Sequence, residues 1–157
     1  AREIAEKLVA ARAAFAQGAD FVHLHSKTAD EAAHTHSPQA KSDVIAASDR
    51  GLAGLWDWPS LEKEFVVAVT ADHATPSRGP MLHSGESVPF ALMGAGVRRD
   101  EITHFDERRA VHGSLGQLRA RDALPVLLNA ANRARFLGGR AAPDSGFGAP
   151  EVTPLTL

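Results

Sequence analysis

The chain predicts an α/β layered fold with a mostly parallel sheet, and three observations carry that expectation. Amphipathic segments with helical periodicity alternate with short apolar, β-branched runs. Glycine and proline punctuate the boundaries between them. Polar clusters follow directly on the apolar runs, where ligands collect in open α/β sheets.

Taken in order, "AREIAEKLVAARAAFAQG" reads as a helix. Ile4, Leu8, Ala11 and Phe15 recur at helical spacing, and Gly18 stands where a C-terminal cap belongs. Phe21 to Leu24 in "DFVHLHS" reads as a short strand. "SPQAKSDVIAASDRGLAGLWDWP" is the next helix, with Ser37 as N-cap, Pro38 at the first helical position and Pro59 ending the run. "EFVVAVT", Glu64 to Thr70, is apolar enough for a strand covered on both faces. "VPFALMG", Val88 to Gly94, is a third strand. "RDALPVLLNAANRARFLGG" closes as a helix capped by Asp122 and stopped by Gly138 and Gly139. The expected division is one domain over 1–139 and an extended Pro/Gly-rich tail over 140–157.

Bulk properties narrow the classes. The 157 residues suit one ordinary domain, and 44% apolar with 23% charged residues is a globular composition. A net charge of −2 and a pI near 6.5 give no electrostatic footprint for nucleic acid or an anionic membrane. No apolar run approaches the roughly 20 residues that span a bilayer. The absence of cysteine excludes disulfides and thiolate-bound zinc. A cytoplasmic location is the default. The chain opens without an initiating Met, so it is expected to be part of something longer.

The candidate chemistry lies in two polar clusters. In "DEAAH", Asp30 and His34 are four apart, so one helical turn places both on one face. Carboxylate and imidazole both ligate Zn²⁺, Mn²⁺ or Fe²⁺; a surface turn with an incidental Asp and His is the plain alternative. In "ADH", adjacent residues leaving a strand point to opposite sides, so Asp72 and His73 suit two ions flanking the chain better than joint chelation of one. The alternative there is a capping Asp72 and a packed His73. His83, beyond the loop "TPSRGPML", could complete a set with Asp30 and His34. His25 and Lys27 sit beside the site, where they would touch an anionic substrate or serve structure. His23 reads as a core or supporting residue, and His36, His104 and His112 as solvated loop positions.

Three blocks together, "FVHLHSKTADEAAH", "VVAVTADHATPSRGPMLHSGESVPFAL" and "FDERRAVHGSLGQLRARDALPVLLNAANR", resemble the C-terminal part of cofactor-independent phosphoglycerate mutases. The archaeal type, within the alkaline phosphatase superfamily, is the nearest in wording. The resemblance runs in order from Phe21 to about Phe136. It implies an alkaline-phosphatase-like fold present only as its C-terminal half, holding two divalent ions (Mn²⁺ or Zn²⁺, with Mg²⁺ also admissible). Asp30, His34 and His83 would ligate one ion, and Asp72 and His73 the other. The implied reaction is glycolytic: a phosphoryl group passes between the 3- and 2-hydroxyls of glycerate through an enzyme serine.

The departures are equally informative. In the family the serine and a further metal-binding Asp come from the N-terminal part, and Ser26, Ser37, Ser84 and Ser87 do not match its motif. "HTHSP" and "SRGP" also differ from the commoner family wording. This chain is therefore expected to lack the nucleophile and to associate with its missing half or with a second copy. The competing readings are a related two-metal phosphatase or phosphonate hydrolase, a two-His, one-carboxylate iron site on Asp30, His34 and His83, and a non-catalytic metal-binding or assembly module.

Overall fold

A computed structural model describes residues 2–133. They fall into two compact units, one formed by residues up to Pro59 with Ala71–Val88, the other by Ser60–Thr70 with the described residues from Pro89 onward. The expected tail and the Gly138–Gly139 stop lie outside the described residues.

The first unit is helical. Helix α1 (Arg2–Ala16) buries Leu8 and Ala11, two of the residues its periodicity selects. Gly18 closes it at φ +95°, with its N–H on Phe15 O at 2.9 Å and Ala19 N–H on Ala14 O at 3.0 Å. Helix α2 (Thr28–His34) is short and buries Ala33 completely. Helix α3 (Pro38–Leu52) begins as predicted, with the Ser37 hydroxyl accepting from Ala40 N–H at 3.2 Å and Pro38 leading the first turn. The helix expected to continue to Pro59 instead tightens into a 3₁₀ turn, Ala53–Asp57, after the helix-weakening Gly51 and beside Gly54. That turn buries Leu55 and brings Trp58 edge-on to Phe15, ring centroids 6.0 Å apart.

The second unit holds helix α4 (Leu61–Glu64), strands β1 (Val66–Thr70) and β2 (Phe90–Gly94), and helices α5 (Glu107–Ala110) and α6 (Ala120–Ala130). Strand β2 starts after Pro89, which has no N–H for the ladder; the Thr70 hydroxyl donates to Pro89 O at 3.0 Å. Asp106 caps α5 by accepting from Arg109 N–H at 2.9 Å. Asp122, expected as the cap of the last helix, sits in the first turn of α6, where a carboxylate suits the positive end of the dipole. Asn132, at φ +55°, ends that helix, with Arg133 N–H reaching Leu128 O at 2.8 Å.

The mostly parallel sheet is not found among the described residues. Strands β1 and β2 pair antiparallel, Val66 opposite Gly94 and Thr70 opposite Phe90. A parallel pair needs a crossover, normally a helix, and residues 71–89 contain none. Phe21–Leu24 forms no strand, because a strand exists only with a ladder partner; its residues nevertheless alternate between exposed and half-buried. Nor is β1 covered on both faces: Val66 to Val69 are half-buried.

One glycine is indispensable to this pairing. Gly94 has φ +118°, and a Cβ there would lie 2.1 Å from Phe65 O, the carbonyl that accepts from Ala95 N–H. Gly94→Ala should therefore cost about 1–3 kcal/mol or more in denaturant unfolding. Gly85→Ala, which meets open space, should stay within about 0.5 kcal/mol. Equal losses at both positions would contradict this role of Gly94 in the β1–β2 pairing.

Candidate metal centre

The first unit gathers the predicted polar residues from two pieces of chain. Helix α2 places Asp30 and His34 one turn apart on one face, His34 Nε2 3.3 Å from Asp30 Oδ1, while the fully buried Ala33 anchors the helix. The second piece is the loop after β1. An isolated antiparallel bridge pairs Ala74 with Ser84, and Ser84 N–H donates to Ala74 O at 3.0 Å. That register sets His83 opposite Thr75 and folds the loop back on itself.

Asp30, His34 and His83 each bring a ligand atom within 4.8 Å of the other two. Both carboxylate and imidazole side chains are accessible, 34% exposed for Asp30 and for His34 and 48% for His83. One carboxylate and two imidazoles suit a borderline divalent ion and leave coordination positions open. His73 stands against His83, ring centroids 4.3 Å apart, and His83 against His34 at 5.2 Å. Asp72, His73, His83, Asp30, His25, Ser26 and Lys27 line one cleft of about 220 Å³.

The expected divergence of Asp72 and His73 is corrected by the geometry. Residues 72 and 73 lie in a bend, where strand alternation lapses. Asp72 Oδ2 and His73 Nε2 approach to 3.6 Å, so the pair converges instead of pointing apart. His25 and Lys27 are exposed at the cleft; the backbone carbonyl of His25 accepts from the Lys7 ammonium, which also pairs with Glu3. Ser26 donates to Glu3 at 3.0 Å. His23, expected in the core or in support, is exposed, as are His36, His104 and His112.

One functional candidate escaped the sequence reading. Thr75 is the one buried polar side chain among the described residues, 5% exposed, and its hydroxyl donates to Asp30 Oδ1 at 2.7 Å. It also lies 3.1 Å from His73 Nδ1 and 3.3 Å from His83 Nδ1. Its backbone carbonyl accepts from the Lys41 ammonium at 2.6 Å, which ties the loop to α3. The signal available was position alone: the second residue beyond His73, just before Pro76, in an otherwise polar loop.

This bond, opposed by burial and reinforced by the charges of His34, His83 and His73, holds the Asp30 carboxyl below its ordinary 3.8. Asp30 is thus a ready anionic ligand.

The Metalloenzyme superfamily profile matches residues 1–130. The chain belongs to that superfamily. It is similar to the 2,3-bisphosphoglycerate-independent phosphoglycerate mutase of Pyrococcus horikoshii, 41% identical over 119 residues, 76% of this chain but 28% of the relative. It is also similar to the 2,3-bisphosphoglycerate-independent phosphoglycerate mutase 2 of Methanocaldococcus jannaschii, 40% identical over 138 residues, 88% of this chain and 31% of the relative. A solved structure of a Pyrococcus horikoshii protein superposes with a TM-score of 0.77 at 38% identity, covering 87% of this chain and 40% of that one. This superfamily member therefore spans less than a third of the length of these curated relatives.

A depressed carboxyl stabilises the fold above its ordinary value, and that contribution is lost as pH falls through the folded value, below 3.8. Asp30→Asn should therefore flatten the loss of stability on acidification in that window, read from urea midpoints between about pH 5 and pH 2. Parallel curves for the two proteins would show that Asp30 is not held in this way.

Proposed function

We propose that the chain is the C-terminal, metal-binding part of a 2,3-bisphosphoglycerate-independent phosphoglycerate mutase, a glycolytic isomerase of the cytoplasm. The observation that carries this reading is the cluster of Asp30, His34 and His83 beside a cleft lined by Asp30, His83, Asp72 and His73, in a chain about 40% identical to archaeal mutases. Asp30, His34 and His83 would hold one divalent ion, and Asp72 and His73 would contribute to a second. The donor set of carboxylates and imidazoles fits Mn²⁺ or Zn²⁺, and Mg²⁺ less well because it prefers oxygen ligands. Bound there, such ions supply Lewis-acid stabilisation of a nucleophilic alkoxide and of charge on the phosphoryl oxygens.

The chain's own residues do the rest. Lys27 and His25, exposed at the rim of the cleft, orient the anionic phosphorylated acid, 3- or 2-phosphoglycerate. Asp30 keeps its negative charge at neutral pH, held by the Thr75 hydroxyl. No serine of this chain is assigned as nucleophile; the Ser26 hydroxyl is already engaged with Glu3 and Thr28. The serine and the further metal-binding Asp would come from the portion of the relatives that this chain does not match. The same portion would cover the half-buried apolar strands β1 and β2 and offer a ladder partner to Phe21–Leu24.

The iron-site reading leaves Asp72 and His73 without a part, although they line the same cleft. The hydrolase reading uses the same residues and differs only in the phosphoryl acceptor.

Co-purification of this chain with a polypeptide equivalent to the rest of an archaeal mutase tests the proposal. Phosphorus NMR should show 3-phosphoglycerate converting to 2-phosphoglycerate with both parts present and not with this chain alone. Asp72→Ala should lower that rate at least about 100-fold, since loss of a ligand should exceed loss of an outer-shell partner. Release of inorganic phosphate without isomerisation would replace the mutase with the hydrolase. Turnover by this chain alone would overturn the assignment of its missing nucleophile.

A further inference from the structure

The donor and acceptor inventory around Thr75 leads beyond the ligand assignment. A hydroxyl carries one proton and two lone pairs, and an ionised carboxylate can only accept. The single proton of Thr75 goes to Asp30 Oδ1 at 2.7 Å. His73 Nδ1 at 3.1 Å and His83 Nδ1 at 3.3 Å face the same oxygen. With its proton committed, that oxygen can only accept from them. His83 Nδ1 is 3.9 Å from Asp30 Oδ1, too far for the carboxylate to compete for its proton.

We propose that Thr75 is a positioning residue whose buried hydroxyl sets the tautomer of two site histidines at once. His73 and His83 both carry their proton on Nδ1, and each keeps the Nε2 lone pair free to bind a cation. A neutral imidazole has one proton, so the choice at Nδ1 decides what Nε2 offers. Outer partners of metal-binding histidines fix the tautomer and the ring orientation. Here one hydroxyl serves a ring from each proposed ligand group, His83 beside Asp30 and His34, and His73 beside Asp72.

The surroundings hold this hub rigidly. Thr75 is 5% exposed, its carbonyl is held by Lys41 at 2.6 Å, and the Ala74–Ser84 bridge fixes its register against His83. His34 is oriented differently, presenting Nε2 to Asp30 at 3.3 Å. The inference concerns the resting state of the chain and rests on the metal-site reading only for its consequence.

The test is nitrogen NMR of the metal-free 157-residue chain, at a pH about two units above the ordinary imidazole value. Wild type should show His73 and His83 protonated at Nδ1. Thr75→Ser should keep both tautomers and near wild-type Mn²⁺ affinity by calorimetry. Thr75→Val should lose both tautomers and bind Mn²⁺ about 10–100-fold more weakly. Protonation of either ring at Nε2 in wild type would overturn the proposal, whether or not Thr75→Val folds. So would a Thr75→Ser chain that has lost the tautomers. A wild-type chain with the expected tautomers but no Mn²⁺ uptake would uphold the role of Thr75 while refuting the metal-site reading.

Discussion

The hydrogen bond from Thr75 to Asp30 joins residues 45 positions apart, and the arrangement of the cleft depends on it. Helix α2 on its own would present Asp30 and His34 to water as an ordinary surface pair. The loop over residues 71–88 on its own would be a polar excursion held by one β-bridge. Joined through the buried hydroxyl, they bring three imidazoles and a carboxylate together with few apolar contacts. Loops tolerate such density because a rigid scaffold pays the ordering entropy elsewhere. Here the scaffold is α1 and α3, with Leu8, Ala11, Ala33, Leu55 and Trp58 as its core.

Such a site is local, and the rest of the structure is less self-sufficient. Strands β1 and β2 carry Val66, Val67, Val69, Phe90, Leu92 and Met93, yet none of these residues is buried among the described residues. Phe21–Leu24 has the exposure rhythm of a strand without its ladder. A run of backbone groups lacking a ladder partner normally finds one in a neighbouring strand. Relatives more than three times as long as the matched segment contain further chain in which those partners can reside.

Much of the clustering at the candidate site was legible because its spacing is helical or adjacent. Asp30 and His34 follow from the i, i+4 rule, and Asp72 with His73 from simple adjacency. His83 needed the loop to fold back, which Pro76, Gly79 and Pro80 suggested and the Ala74–Ser84 bridge accomplishes. Thr75 was not legible, because a single threonine carries no periodic signal and its role arises from tertiary burial. The direction of the Asp72–His73 pair failed for a related reason: strand alternation was extended past Thr70, where the ladder ends. The sheet went astray because apolar runs specify strands but not their sense, and the helix-free stretch over 71–89 decided in favour of an antiparallel return. Helix starts were readable from Ser37 and Pro38, whereas the last helix ended at an αL asparagine that competes poorly with a double glycine as a written signal.

On the proposed function, Asp30 and His34 of α2 and Asp72, His73 and His83 of the following loop form one split two-ion site. Elemental analysis of the purified chain after dialysis against limiting Mn²⁺ or Zn²⁺, beside Asp30→Ala and Asp72→Ala, tests it most directly. One tightly held ion should disappear with Asp30→Ala, and a second, weaker ion with Asp72→Ala. No bound metal in the wild-type chain, or both ions surviving both substitutions, would contradict it.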